Sequence, residues 1–182
     1  IKQLIIAIKT FTKAITEAGK RDLVKPKILA IAYSGRARAR VDLLNVVQDD
    51  HEAQLQDAIK DYQQARGLGL KDDQELTKAL VNATRALGTF YYDAVQKADT
   101  PLNTLVKGLD DALTQFESAN KLEANNVLLQ DQILVTLAQR GQSLLKASKL
   151  TAAVTDFDRV IEKKPKDLQS LVGRGTAHQL LK

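Results

Sequence analysis

The sequence predicts an all-α protein of about eight antiparallel helices, on three observations. First, one eight-residue pattern occurs four times: alanine, an aliphatic residue, two further residues, an aromatic ring, two more residues and a small apolar residue. It reads Ala-Ile-Lys-Thr-Phe-Thr-Lys-Ala at 7–14, Ala-Ile-Lys-Asp-Tyr-Gln-Gln-Ala at 58–65, Ala-Leu-Thr-Gln-Phe-Glu-Ser-Ala at 112–119 and Ala-Val-Thr-Asp-Phe-Asp-Arg-Val at 153–160. Second, helix punctuation falls between these octads. Third, three prolines, nine glycines and 4% aromatics come without the alternating β-branched runs that strands need. A motif that recurs in this way marks a stacked-repeat architecture.

The elements follow from the punctuation. A first helix ends at Ala18–Gly19, and Lys25-Pro26-Lys27 opens a second that reaches Val47. Asp49-Asp50 precede a third, which stops at Gly67-Leu68-Gly69, and Asp72-Asp73 precede a fourth, which lasts to Lys97. Thr100-Pro101 predicts a fifth helix to Leu122, with threonine as N-cap and proline at the first helical position. Asn125-Asn126 introduce a sixth, to Ala147, and Thr151 is the expected cap of a seventh that ends before Pro165. Asp167 opens the eighth. Acidic residues in several first turns suit the positive end of the helix dipole.

Within each octad the first alanine, the ring and the last small residue stand at i, i+4 and i+7, on one helix face. Alanine lets a neighbouring backbone approach, and the ring fills the space beside it. Packing is the direct reading of the motif.

Composition bounds the function. The 182 residues include no cysteine, which excludes disulfides, thiolate zinc sites and a cysteine nucleophile. They include no methionine, so the chain is expected to be a fragment or processed product of a longer protein. No apolar run approaches the ~20 residues that span a bilayer. The compartment is open, with the cytoplasm favoured. The net charge of +5 conceals three blocks: +7 over residues 1–48, −7 over 49–131 and +5 over 132–182. Such a layout either steers a charged partner or reflects drift along solvated helix faces.

The even-numbered helices complete a signature. Residues 134–167 carry Leu137, Arg140-Gly141, Leu144, Ala153, Phe157, Val160 and Pro165, and Leu171, Arg174-Gly175 and His178 begin another copy. Leu87-Gly88-Thr89-Phe90-Tyr91 and Tyr33, Arg36-Ala37, Arg40 stand at the equivalent places of the fourth and second helices. With these spacings the chain resembles a tetratricopeptide repeat array. The resemblance implies a right-handed α-α superhelix of antiparallel helix pairs forming a single domain over 1–182. Its units would be long and atypical over 1–125, standard over 134–167 and partial over 168–182. The octad rings lie 51, 54 and 41 residues apart rather than 34, so the earlier units carry insertions.

Catalytic constellations are poor, and no enzyme activity, cofactor or metal is expected. His51 at a helix start reads as a solvated capping residue, and His178 as a partly buried core residue. Zinc would need more nitrogen or sulfur ligands than these provide. The paired acids Asp49-Asp50, Asp72-Asp73, Asp110-Asp111 and Asp156/Asp158 read as caps and structural residues. Gly67-Leu68-Gly69 and Gly173-Arg174-Gly175-Thr176 follow no strand and so do not form phosphate loops. Lys20, Arg21, Lys25, Lys27, Arg36, Arg38 and Arg40 cluster, but Arg36 and Arg40 share a helix face from which Arg38 points away. The acidic block that follows would repel a polyanion, so a nucleic-acid partner is not the expectation. Asn82-Ala83-Thr84 is a formal glycosylation sequon inside a predicted helix, which disfavours occupancy.

The family resemblance implies a concave surface lined by the first helix of each unit. The register places Ser34, Arg38, Asn82, Arg85, Thr89 and Tyr92 there, then Ala138, Gln142 and Leu145, then Gln169, Val172 and Thr176. The candidate partner-binding residues are therefore Ser34, Arg38, Asn82, Arg85, Thr89, Tyr92, Gln142, Gln169 and Thr176. Ala138 and Gln142 stand where chaperone-binding members of the family recur to lysine and asparagine, so that activity is not implied. The expected function is a non-enzymatic scaffold that binds a protein or peptide, acidic where it meets Arg38 and Arg85. The alternative is a regulatory or sensor module of a larger protein whose catalytic domain lies elsewhere.

Overall fold

The computed structural model describes residues 1–19, 25–47 and 50–182, and among these it contains eight α-helices and no strand. They are α1 (Lys2–Gly19), α2 (Pro26–Leu44), α3 (His51–Ala65), α4 (Gln74–Ala94), α5 (Leu102–Leu122), α6 (Val127–Lys146), α7 (Leu150–Lys163) and α8 (Leu168–Leu180). The chain forms two compact units, residues 1–87 and 88–182, and α4 runs through the boundary. In the first unit α2 packs on α1 and on α3. In the second, α6 packs on α5 and α7, and α8 on α7 and α6. Asp49, expected before the third helix, and Lys20 and Arg21 of the basic cluster lie outside the described residues.

Several helix starts follow the expected capping chemistry. The Asp73 carboxylate accepts from the Leu76 amide at 2.9 Å, Asn126 Oδ1 from Leu129 at 3.2 Å and Asp167 from Ser170 at 2.9 Å. Each satisfies an amide that the first helical turn leaves without a carbonyl. Two expected caps are not used. Pro101 itself is the cap residue of α5 with no side-chain hydrogen bond, so Thr100 does not cap and proline lies one position earlier than expected. Lys149 occupies the cap of α7, and Thr151 lies inside the helix, where its backbone carbonyl accepts from the Thr155 hydroxyl at 3.1 Å. Two helices stop early, α2 at Leu44 and α4 at Ala94, each three residues before the expected end. At the far end of α3 the chain widens into a π-type turn, Arg66–Leu70, that Gly69 closes at φ 112°, a conformation open to glycine and strained for other residues.

The octads lie on α1, α3, α5 and α7, and in three of them the ring is buried. Tyr62, Phe116 and Phe157 are no more than 3% exposed, with Ala58, Ala112 and Ala153 at 0%. Phe157 shows the packing most fully. A Cβ built on Gly141 of α6 would lie 2.7 Å from its Cε1, and one built on Gly173 of α8 would lie 2.5 Å from its Cζ. The ring is thus held between two bare backbones, and Val106, Leu144 and Ala153 complete the cluster around it. Phe116 meets Gly88 in the same way, and Phe11 meets Gly35. The first octad is the exception in depth: α1, which packs on α2, buries no residue among those described.

Gly141 and Gly175 each directly follow an arginine, 34 residues apart, yet nothing lies within 4 Å of a Cβ at Gly175. Gly141→Ala should destabilise the fold by about 1–3 kcal/mol through overpacking, because Gly173 stops Phe157 from retreating. Gly175→Ala should instead stabilise by up to about 1 kcal/mol through helix propensity. Urea unfolding midpoints of the two variants check the opposite signs.

Candidate functional site

The most organised polar side chains on the helix faces are two arginine forks. Arg36 on α2 donates from Nε and Nη2 to the two carboxylate oxygens of Asp61 on α3, at 2.7 and 2.6 Å. Arg140 on α6 does the same to Asp156 on α7, at 2.7 and 2.6 Å. In both, Nη1 turns back to the preceding helix: to Thr12 Oγ1 at 3.3 Å for Arg36, and to Asp110 at 2.6 Å for Arg140. Asp61 also receives Arg40, which reaches Asp57 as well. Asp61 and Asp156 are 4% and 1% exposed. The bidentate hydrogen bonds raise both guanidinium pKa values above the ordinary arginine value, against the opposing effect of burial.

Both aspartates occupy the fourth octad position, immediately before the ring, and both arginines immediately precede the small residue, Ala37 or Gly141. At the corresponding places of the middle octad the sequence has Leu87 before Gly88 and Gln115 before Phe116, so the charged pair is replaced at both ends at once. Sequence reasoning named Arg36 and Arg140 as register residues and Asp156 as structural, but did not join them. The signal was present: an aspartate stands before the ring only in the octads whose preceding helix carries an arginine directly before its small residue, Arg36-Ala37 and Arg140-Gly141.

The predicted partner-binding residues occupy varied environments. In the first unit Arg38 and Asn82 are exposed, and Ser34 and Arg85 are half-buried. Among the described residues, no ion pair engages Arg38 or Arg85, whereas Arg36, Arg40, Arg140, Arg159 and Arg174 all have carboxylate partners. Arg38 lies near enough to the buried Tyr62 to offset part of the rise that burial imposes on the phenol's pKa. In the second unit Thr89 Oγ1 accepts from Gln132 at 3.5 Å, and Tyr92 is half-buried, its pKa raised by burial and by Asp93. Gln142 and Gln169 come together: the Gln142 amide donates to the Gln169 carbonyl at 3.4 Å, and both line a groove of about 350 Å³ with Ala138. Thr176 is exposed, and its hydroxyl donates to the Val172 carbonyl within α8.

A larger groove, about 800 Å³, runs over α5, α6 and α7 and contains none of the predicted residues. Arg159–Glu117 (2.5 Å) and Lys164–Asp131 (2.9 Å) sit on its walls, and the buried Asn120 Oδ1 beside them lacks a hydrogen-bond donor among the described residues. Its lining residues share no common spacing, so no sequence motif marks it.

The other singled-out residues are placed as follows. His178, expected in the core, is exposed on the last turn of α8, where no helix covers it among the described residues. His51 is half-buried at the start of α3. The sequon lies inside α4, and the Thr84 hydroxyl is buried and donates to the Leu80 carbonyl. Among the described residues no cluster of His, Asp and Glu suits a metal ion, and no helix is long and apolar enough to cross a membrane. No protein-family model, curated protein or solved structure matches the chain.

Removing Asp156 strands a guanidinium whose remaining partner, Asp110, is half in solvent. Asp156→Asn should cost on the order of 3 kcal/mol, since breaking a buried pair leaves an uncompensated charge. Glu117→Gln, which breaks the exposed pair with Arg159, should cost less than about 1 kcal/mol. Chemical denaturation of both variants measures the contrast.

Proposed function

We propose that the chain is a tetratricopeptide-like helical-repeat scaffold, wound as a right-handed superhelix, that binds an acidic peptide or protein segment without catalysing a reaction. One observation carries the reading. The arginines that build the fold are matched with carboxylates, while Arg38 and Arg85 of the first unit have none among the described residues. Arginine held on a helix face without an internal partner is suited to an external carboxylate, which its planar fork can grip bidentately. Arginine is also enriched among residues that anchor interfaces. Ser34 and Asn82, the first half-buried and the second exposed, add hydrogen-bonding capacity on the same two helices, α2 and α4. In the second unit the groove at Gln142 and Gln169 offers amides of the kind that pair with an extended peptide backbone.

The double variant Arg38→Glu/Arg85→Glu tests this. Against an array of acidic and basic peptides, the wild-type chain should retain acidic members, with affinity falling as salt rises. The double variant, with unchanged circular dichroism, should lose them. Equal retention by both proteins would move the site away from these arginines.

A further inference from the structure

Three arginines direct Nη1 back to the preceding helix, and the groups they meet there differ in one respect. Arg140 meets the carboxylate of Asp110 at 2.6 Å, and Arg174 meets that of Asp158 at 2.9 Å. Arg36 meets a neutral hydroxyl, Thr12 Oγ1, at 3.3 Å. Thr12 and Asp158 occupy the same octad position, the residue after the ring. The first octad thus presents an alcohol to its arginine where the last presents an acid. Arg36 holds Asp61 through Nε and Nη2, and Asp61 also receives Arg40, so an anion at Nη1 leaves the existing fork in place.

Thr12 is exposed, and its place in the octad stays at the rim of the packing even where helices lie on both sides. Helix α7 is packed by α6 and α8, yet the Asp158 side chain is 52% exposed. The immediate surroundings of Thr12 are basic. Lys9 and Lys13, both exposed, stand three residues before it and one after it on α1, and Arg36 faces it from α2. Lys9, at i−3, shares its side of the helix. Two neighbours provide an internal contrast. Thr10, Thr12 and Thr16 are all exposed, and each donates its hydroxyl to the carbonyl four residues back. Among the described residues Thr12 alone of the three also accepts from an arginine.

We propose that Thr12 is a phosphorylation site, at which phosphate gives Arg36 the anion that Asp158 gives Arg174. A protein kinase transfers the γ-phosphoryl group of a nucleoside triphosphate. The bond from Thr12 Oγ1 to phosphorus forms, the bond from that phosphorus to the β,γ-bridging oxygen breaks, the hydroxyl proton passes to the kinase's base, and the nucleoside diphosphate leaves. The product loses the hydroxyl's bond to the Ile8 carbonyl and gains about 1.5–2 negative charges at neutral pH. Its oxygens accept charge-assisted hydrogen bonds from Nη1 of Arg36, which tie α1 to α2 more firmly than the hydroxyl does.

Two measurements test it. Phosphopeptide mapping of the protein isolated from its own cells should find phosphate on Thr12. Phosphate confined to Thr10, Thr16 or other residues, or none at all, overturns the proposal. For the consequence, phosphothreonine is incorporated during translation at position 12 or, in a control, at position 16, and amide hydrogen exchange is followed across α1 of the intact chain. The phosphate at 12 should slow exchange about threefold or more, and the phosphate at 16 should not. Arg36→Lys, in which Arg40 still pairs with Asp61, should abolish most of the slowing. Should that variant fail to fold, the contrast between positions 12 and 16 decides alone. Equal slowing from both positions would mean that phosphate merely relieves the positive charge of α1, and overturns the assignment to Arg36. Faster exchange on phosphorylation at 12 overturns it as well.

Discussion

The second unit is organised around one close approach, a phenyl ring held between glycine backbones of two other helices. Phe157 can reach both α6 and α8 only because Gly141 and Gly173 carry no side chain where the ring edges arrive. With aromatics at 4% of the chain, one ring must serve two interfaces at once. The alanines of the octad let the backbones close to that distance, and the ring then supplies the buried area that alanine lacks. At α1 the arrangement is weaker: it presents Phe11 to Gly35 but buries no residue among those described.

Small-residue interfaces pack closely but define register poorly, because an alanine or glycine surface looks similar after a shift of one turn. The forks of Arg36 and Arg140 supply what is missing. Each guanidinium is planar and bidentate, and its second edge is occupied by the preceding helix, so it fixes three consecutive helices with one side chain. Buried ion pairs are weak evidence of net stability, and their best-attested role is to select one arrangement over its alternatives. Placing the aspartate next to the ring ties the polar lock to the apolar one. Neither can slip without breaking the other.

Much of this was legible in the sequence, and what was not has physical reasons. Eight helices, the caps at Asp73, Asn126 and Asp167 and the burial of three octad rings follow from local chemistry and period. Thr100 and Thr151 misled because an N-cap needs extended backbone directly before the first helical residue, and the loops place Pro101 and Lys149 there instead. His178 was expected to be partly buried because it stands where the repeat normally packs an aromatic ring; its counterpart on α6, Leu144, is covered by α7, and α8 has no such cover among the described residues. At the candidate site Arg38 and Asn82 are exposed and the Gln142 amide meets the Gln169 carbonyl, while Ser34, Arg85, Thr89 and Tyr92 are half-buried. The groove over α5, α6 and α7 is assembled from residues with no common spacing, so no periodic reading could reach it.

The charge blocks acquire a meaning that neither steering nor drift had offered. Carboxylates of the acidic middle block are joined to cations of the blocks on either side. Asp57 and Asp61 take Arg36 and Arg40, while Asp110, Glu117 and Asp131 take Arg140, Arg159 and Lys164. The blocks are therefore partly the consequence of helix pairing: adjacent helices carry opposite charge because they meet. Charge consumed in this way contributes little to a long-range field, since each pair is a short dipole screened within about 10 Å at ordinary salt. The cations that project a field are the remainder, and Arg38 and Arg85 belong to it. Net charge by itself would have credited all of these arginines equally. Their internal pairing is what separates the residues that hold the helices from those free to meet something else.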